Sequence, residues 1–298
     1  MKVEEVIELD PALVEESVLL ASDASSPATR RRYRQERNAV YEITETEKRD
    51  AAFQELDARW FARLGLGTPL LRLLREFDSI LARVSRCLVL PAGRSRDEGA
   101  DLHDTREAMP ALAVKLTPHS LAHFEGIAAT LRGELLHVED MLDPAFGYHR
   151  ELPASEEGAV YDKLLRDRYR VLWNTSVDGR LVRRGQLPEG GEARRRREFL
   201  ATFSVLGTDV GRQFERFFHG PRPSNGELLS FARSVEGRAA GRCPLCRFPT
   251  ARLRGEGEPL DARVDEAIRR DFPGFLPSQG ICMQCADLYE ARATARSS

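Results

Sequence analysis

Two short stretches near the carboxyl end, CPLC at residues 243–246 and CMQC at residues 282–285, decide how this part of the chain folds. Each stretch presents two thiolates from one turn, and two such turns supply the four soft ligands of a tetrahedral zinc ion. We therefore predict one structural Zn²⁺ bound by Cys243, Cys246, Cys282 and Cys285. Because four thiolates leave no open coordination position, this ion is expected to stabilise the fold and not to catalyse.

Thirty-five residues separate the two cysteine pairs. They contain LDARVDEAIRRDF at 260–272, which predicts a helix, and the turn-rich PGFLPSQG at 273–280. The pattern predicts a zinc-ribbon-like (α+β) module over residues 236–298, with a helical insert. In a cytosolic chain, paired cysteines of this spacing favour metal over disulfides. The fifth cysteine, Cys87, lies in an apolar run and is expected to be a small buried side chain.

The preceding residues 1–235 predict a mainly α-helical domain. Apolar side chains recur at helical spacing in most of it, as at Leu165, Leu172 and Trp173. We expect an amphipathic helix over 3–20 and a helix over 117–143. Between these two helices, the segments with the least helical character are CLVLP (87–91), which could form a short strand, and PAGRSRDEGADLHD (91–104), which predicts an exposed polar loop.

Composition narrows the class of protein. The 298 residues are 42% hydrophobic and 31% charged, which is enough apolar material for one large domain and a small one. With a net charge of −2, the chain as a whole does not attract nucleic acid or an anionic membrane electrostatically. The acidic amino-terminal segment lacks the order of a signal peptide, so a cytoplasmic location is expected. The preference for arginine over lysine is typical of a GC-rich bacterial genome.

One helical segment carries a second metal-binding pattern. Residues 131–148 are LRGELLHVEDMLDPAFGY, in which Glu134 and His137 are three positions apart and Asp143 follows six residues later. This segment resembles the active-site helix of the zincin metallopeptidases, in the branch whose third ligand is acidic. The resemblance implies that Glu134 is a general base and that His137 and Asp143 are ligands of a second Zn²⁺.

The segment departs from the zincin pattern at two positions. Gly133 stands where the first histidine ligand would be, and Asp140 stands where that branch has a turn glycine. Glycine within a helix is unfavourable by about 1 kcal/mol relative to alanine. Position 133 therefore implies either a close neighbour that excludes a side chain or a ligand position that has been vacated. The alternative to a metal site is a polar stripe on an ordinary core helix.

Two functions follow from these patterns. The first is a zinc-binding relative of the zincin metallopeptidases, with a degenerate and weak or inactive hydrolytic site. The second is a non-catalytic zinc-ribbon adaptor or scaffold, which binds a protein, a peptide or nucleic acid through arginine-rich faces. The sequence specifies no substrate, no particular partner and no oligomeric state, and it predicts no membrane association.

Overall fold

The structure, a computed structural model, describes residues 6–103, 109–150, 159–235, 241–247, 249–250, 253–254 and 260–295. It is mainly helical with a small sheet, which confirms the predicted helical character. The chain divides into two compact units. One consists of Met1–Tyr148 with Arg184–Pro188, and the other consists of His149–Arg183 with Glu189–Ser298.

The first unit is built around four strands. Its elements in chain order are β1 (Ile7–Leu9), α1 (Pro11–Ala24), α2 (Pro27–Val40), α3 (Thr46–Arg63), α4 (Thr68–Arg75), α5 (Asp78–Leu81), β2 (Cys87–Pro91), β3 (Gly99–His103), β4 (Ala111–Leu116), α6 (Pro118–Ala122) and α7 (Glu125–Leu142). The sheet has the order β1-β2-β4-β3, in which β1, β2 and β4 are parallel and β3 is antiparallel to β4.

The sheet confirms one expectation and corrects two others. CLVLP forms strand β2, and the Cys87 thiol at its start is fully buried. The segment at 91–104, predicted to be an exposed loop, instead contains the edge strand β3. Within the described residues, the opening segment is not one helix, because β1 precedes α1 and the Asp10 carboxylate caps that helix at its amino end. The sequence pattern does not predict the central strand β4.

The predicted helix over 117–143 is interrupted. Helix α6 ends at Ala122, His123 adopts a non-helical conformation (φ −125°, ψ 61°), and α7 begins at Glu125. Helix α6 packs on α1, whereas α7 packs on β3 and on α4 and α5. The break at His123 thus separates a segment that packs on α1 from a segment that packs on β3, and the continuous helical pattern of the sequence does not indicate it.

The second unit begins with a bundle of four helices: α8 (Ala159–Arg183), α9 (Gly191–Thr202), α10 (Val210–His219) and α11 (Asn225–Ser234). Helix α8 contacts the other three. Buried phenylalanines fill the space between α9, α10 and the short 3-10 segment between them. They are Phe199, Phe203, Phe214, Phe217 and Phe218.

The carboxyl-terminal part of this unit has a hydrophobic core of its own. It contains the hairpin strands β5 (Gly241–Arg242) and β6 (Pro249–Thr250), followed by α12 (Ala262–Asp271) and α13 (Met283–Ala295). Val264 and Ile268 of α12 pack with Ile281 and Tyr289 and with the cysteines in this core. We call this part the cysteine module. The boundary between residues 235 and 236 stays a prediction.

A close backbone approach fixes the packing of α8 against the end of α10. A Cβ atom at Gly179 would lie 1.8 Å from the carbonyl oxygen of Phe218. The Arg183 guanidinium donates to the same oxygen at 3.1 Å. Since the obstructing atom belongs to the backbone, a side chain at position 179 requires the two helices to separate.

We expect Gly179→Ala to lower the free energy of unfolding by about 3 kcal/mol through overpacking. Gly211→Ala in α10 is the matched control, because a Cβ atom there meets no atom of the described residues within 4 Å. Urea denaturation of both variants measures the difference. Equal stability of the two variants would contradict the close packing at Gly179.

Candidate metal centre

The first cysteine pair lies in the turn between β5 and β6. The amide of Arg247 donates to the carbonyl oxygen of Cys243 at 2.8 Å, which closes the turn around the two sulfurs. Arg247 has a φ of 63°, and within the described part of the chain it is the only non-glycine residue with positive φ. This conformation is unfavourable for an L-amino acid. The turn is therefore held in place by the groups that surround it.

The second cysteine pair lies at the start of α13. Arg254 and Ile281 form an antiparallel bridge with two hydrogen bonds of 2.7 and 2.8 Å. This bridge positions Cys282 immediately before α13, and Cys285 then falls in the first turn of the helix. The amino end of a helix carries partial positive charge and unpaired amides, both of which stabilise thiolates.

The four sulfur atoms converge. All of them lie within 4.8 Å of one another, and Cys246 Sγ is 3.7 Å from Cys282 Sγ. A tetrahedral zinc ion with Zn–S bonds of about 2.3 Å requires sulfur separations of about 3.8 Å. A disulfide requires about 2.05 Å, and all five cysteines of the chain are free. The donor set and its spacing therefore fit a metal ion. This result confirms the predicted convergence of the four cysteines.

The surroundings shift the pKa values of two thiols of the cluster in opposite directions. Burial tends to raise the pKa of Cys243, but hydrogen bonds from the amides of Cys246, Cys282 and Leu245 outweigh it, and the pKa is lowered. The Cys282 amide lies 3.4 Å from the Cys243 sulfur. Burial raises the pKa of Cys285 strongly, and the neighbouring thiols of Cys246 and Cys282 raise it further. Four thiolates this close repel one another, and a bound divalent cation would remove that repulsion.

The zincin-like segment is arranged differently. Glu134 of α7 lies against β3, where a Cβ atom at Gly99 would be 3.6 Å from its Cγ atom. Burial raises the pKa of Glu134, and the nearby carboxylate of Asp101 raises it further. The Glu134 side chain thus lies beside the edge strand β3 and near a second acid, Asp101.

The two proposed ligands of this segment, His137 and Asp143, lie in different surroundings. His137 is half-buried on α7, one turn after Glu134. Asp143 is the residue at which α7 ends, and its Oδ1 accepts a hydrogen bond of 2.9 Å from the amide of Ala145. Within the described ranges, the four cysteines are the only group of three or more metal-ligating side chains that converge. The second zinc site on α7 stays a prediction.

Gly133 is not explained by close packing. Outside its own helix turn, a Cβ atom at this position would meet no atom of the described residues within 4 Å. The first of the two explanations for this glycine, a close neighbour, therefore has no support among the described residues.

The acidic residues at 97–104 are distributed over several elements. The Glu98 carboxylate accepts hydrogen bonds of 2.8 Å from both the amide and the hydroxyl of Thr117, which is the residue that caps α6. Asp101 and His103 lie on β3. Asp104 lies outside the described residues. The Glu98 carboxylate thus links β3 to the start of α6.

Sequence reasoning missed the bridge between Arg254 and Ile281, although it positions the second cysteine pair. The bridge joins residues that are 27 positions apart, so no local pattern in the sequence indicates it. Among the described residues, no helix combines the length and the apolar character needed to span a membrane.

Comparison of the chain with protein-family models, with curated proteins and with solved structures finds no match. Neither the zincin resemblance nor any other family assignment gains support from relatives. Any indication of a function therefore lies in the residues of this chain.

We expect Gly133→Ala to raise the free energy of unfolding by about 1 kcal/mol, because alanine is the better helix former and its methyl group meets no neighbour. Thermal or urea denaturation of the variant measures the change. A loss of stability would show that the space beside position 133 is needed by another group.

Proposed function

We propose that this protein is a non-catalytic adaptor whose cysteine module is organised by one structural Zn²⁺. The convergence of four sulfur atoms within 4.8 Å carries the proposal. The ligands of the ion would be Cys243, Cys246, Cys282 and Cys285. Their four thiolates would hold zinc, a Lewis acid, in a closed tetrahedral site. A closed site provides no position for a substrate or a water molecule. The role of the ion is therefore to fold the module.

The small size of the core explains why the module needs an ion. Nine buried residues form its hydrophobic cluster, and three of them are cysteines. A core of this size contributes too little burial to offset the conformational entropy of the ordered chain. Metal binding adds free energy of the order of 10 kcal/mol in small zinc modules. Zinc would join the β5–β6 hairpin to the amino end of α13.

A protein partner is favoured over nucleic acid by the charge pattern of the module. Most of its described arginines are paired with acids, as in the pairs Arg254–Glu290, Arg269–Asp265, Arg270–Glu266 and Arg292–Asp271. These exposed pairs contribute little to stability. They do, however, reduce the uniform positive charge on which binding to a phosphate backbone depends.

The zincin-related hydrolase is the competing proposal. It requires a second zinc ion at His137 and Asp143, with Glu134 as the base. A half-buried acid with a raised pKa, such as Glu134, is a feature found in catalytic sites and also in structural ones. The two proposals differ in the number of zinc ions in each chain, and this number can be measured.

We expect the purified protein to contain one zinc per chain. Cys243→Ser should lose it, because three thiolates hold the ion much less tightly than four, and the cysteine module should then become sensitive to proteases. Elemental analysis and limited proteolysis measure the two effects. A chelator added to the unaltered protein should cause the same proteolytic pattern.

Two variants serve as controls. Cys87→Ser removes a thiol that lies in β2 of the other unit, and His137→Ala removes the proposed second ligand. Both should retain one zinc. Two zinc ions in the unaltered chain, with one lost in His137→Ala, would support the hydrolase and contradict the adaptor. A chain that folds without any metal would overturn the proposal.

A further inference from the structure

A groove of about 610 Å³ runs between α12 and α13 on the cysteine module. Arg263, Glu266 and Arg270 of α12 line one side, and Tyr289 and Arg292 of α13 line the other. The residues of α12 lie three and four positions apart, so they follow one face of the helix. Small side chains, such as Ala267, leave room between the two helices.

The arginines of the groove have more N–H donors than the carboxylates of the groove accept. Arg270 donates from one nitrogen to Glu266 at 3.3 Å, and Arg292 donates from one nitrogen to Asp271 at 2.8 Å. Each guanidinium carries five N–H donors, so most of the donors of both remain available. In the part of the chain that the structure describes, the exposed guanidinium of Arg263 forms no ion pair or hydrogen bond.

The acids in the groove are already neutralised. Glu266 is paired with Arg270, and the Asp271 carboxylate accepts hydrogen bonds of 2.8 Å from both the Tyr289 hydroxyl and Arg292. The remaining positive charge is that of Arg263. An anionic group that enters the groove meets this unpaired guanidinium and the spare donors of the other two arginines.

Exposed apolar side chains are concentrated in the same module. Seven large hydrophobic side chains of the described residues are exposed, and four of them fall within 272–288: Phe272, Leu276, Met283 and Leu288. Their exposed fractions range from 39% to 57%. Scattered exposed hydrophobics are ordinary, but a concentration of this kind is typical of a surface that a partner covers.

Two of these side chains belong to residues close in sequence to groove residues. Phe272 directly follows Asp271, whose carboxylate contacts Arg292. Leu288 lies one helical turn before Arg292 on α13, and residues four apart share a helix face. The backbone thus carries two exposed apolar residues near the Asp271–Arg292 end of the groove, whereas Arg263 lies two turns away on α12.

We propose that the α12–α13 groove docks an extended segment of a protein partner that carries an acidic residue and, several residues away, a large apolar residue. The acid pairs with Arg263 and with the spare donors of Arg270. The apolar residue packs on Phe272 and Leu288. This inference rests on the proposed adaptor function and gives the chemical class of its partner.

The pairing of charge with apolar contact distinguishes this partner from nucleic acid. Protein interfaces are enriched in arginine, aromatic side chains and methionine, and the module exposes all three types. A phosphate backbone would leave the exposed leucine and phenylalanine side chains uncovered, and it would encounter Glu266 and Asp271 in the groove.

The test is a selection of random twelve-residue peptides against the full-length, zinc-loaded protein. We expect the selected peptides to contain Asp or Glu and, several residues away, Leu, Ile, Phe or Met. A synthetic copy of the most enriched peptide should bind the double variant Arg263→Glu/Arg270→Glu at least tenfold more weakly, and Leu288→Ser should weaken binding as well. Arg31→Glu is the matched control, because it reverses an exposed arginine on α2 of the other unit.

Several results would overturn the docking site. They are a selection without enrichment, a preference for basic peptides, an unchanged affinity in the double variant, and displacement of the peptide by a single-stranded oligonucleotide. Zinc content and helicity are measured on every variant. One zinc per chain without peptide binding contradicts the docking site alone, whereas an unaltered protein without zinc contradicts the adaptor proposal itself.

Discussion

The convergence of four sulfur atoms from two distant segments is the constraint on which the cysteine module depends. The segments are 35 residues apart in sequence, and they belong to a hairpin and to the start of a helix. The hydrogen bond from the Cys282 amide to the Cys243 sulfur joins them directly. The intervening helix α12 packs through Val264 and Ile268 onto the same core. The position of both helices, and hence the shape of the groove between them, follows from where the sulfurs meet.

The first unit follows a different principle, because its organising element is a sheet. Strands β2 and β4 occupy the centre, and five of the six residues of β4 are buried. Helices α6 and α7 cover different parts of this unit, and the helical conformation is interrupted between them at His123. The raised pKa of Glu134 arises from this packing, since the carboxyl group is placed against an edge strand and beside Asp101.

The sequence predicted local chemistry well and long-range pairing poorly. The cysteine pairs were identifiable because the spacing of two thiols in a turn is a local property, and α8 was identifiable because its apolar residues repeat at helical spacing. The run ALAVKL of β4 has no such signature. A short apolar run suits a buried strand as well as a buried helix, and only its pairing with β2 and β3 decides between them.

The zincin resemblance shows the same limit. Glu134, His137 and Asp143 have the spacing of a motif, but the spacing does not determine what surrounds them. The structure assigns Asp143 to the turn that ends α7 and gives Glu134 a second acid as its neighbour. The open space at Gly133 also could not be read from sequence, since it depends on neighbours that are distant along the chain.

X-ray absorption at the zinc edge of the purified protein tests the central claim most directly. We expect a single shell of four sulfur atoms at about 2.3 Å, with no nitrogen or oxygen ligand. A mixed shell that contains imidazole nitrogen or carboxylate oxygen would place zinc at a site that includes groups such as His137 or Asp143. Such a result would contradict a closed site of four thiolates as the organising centre of the cysteine module.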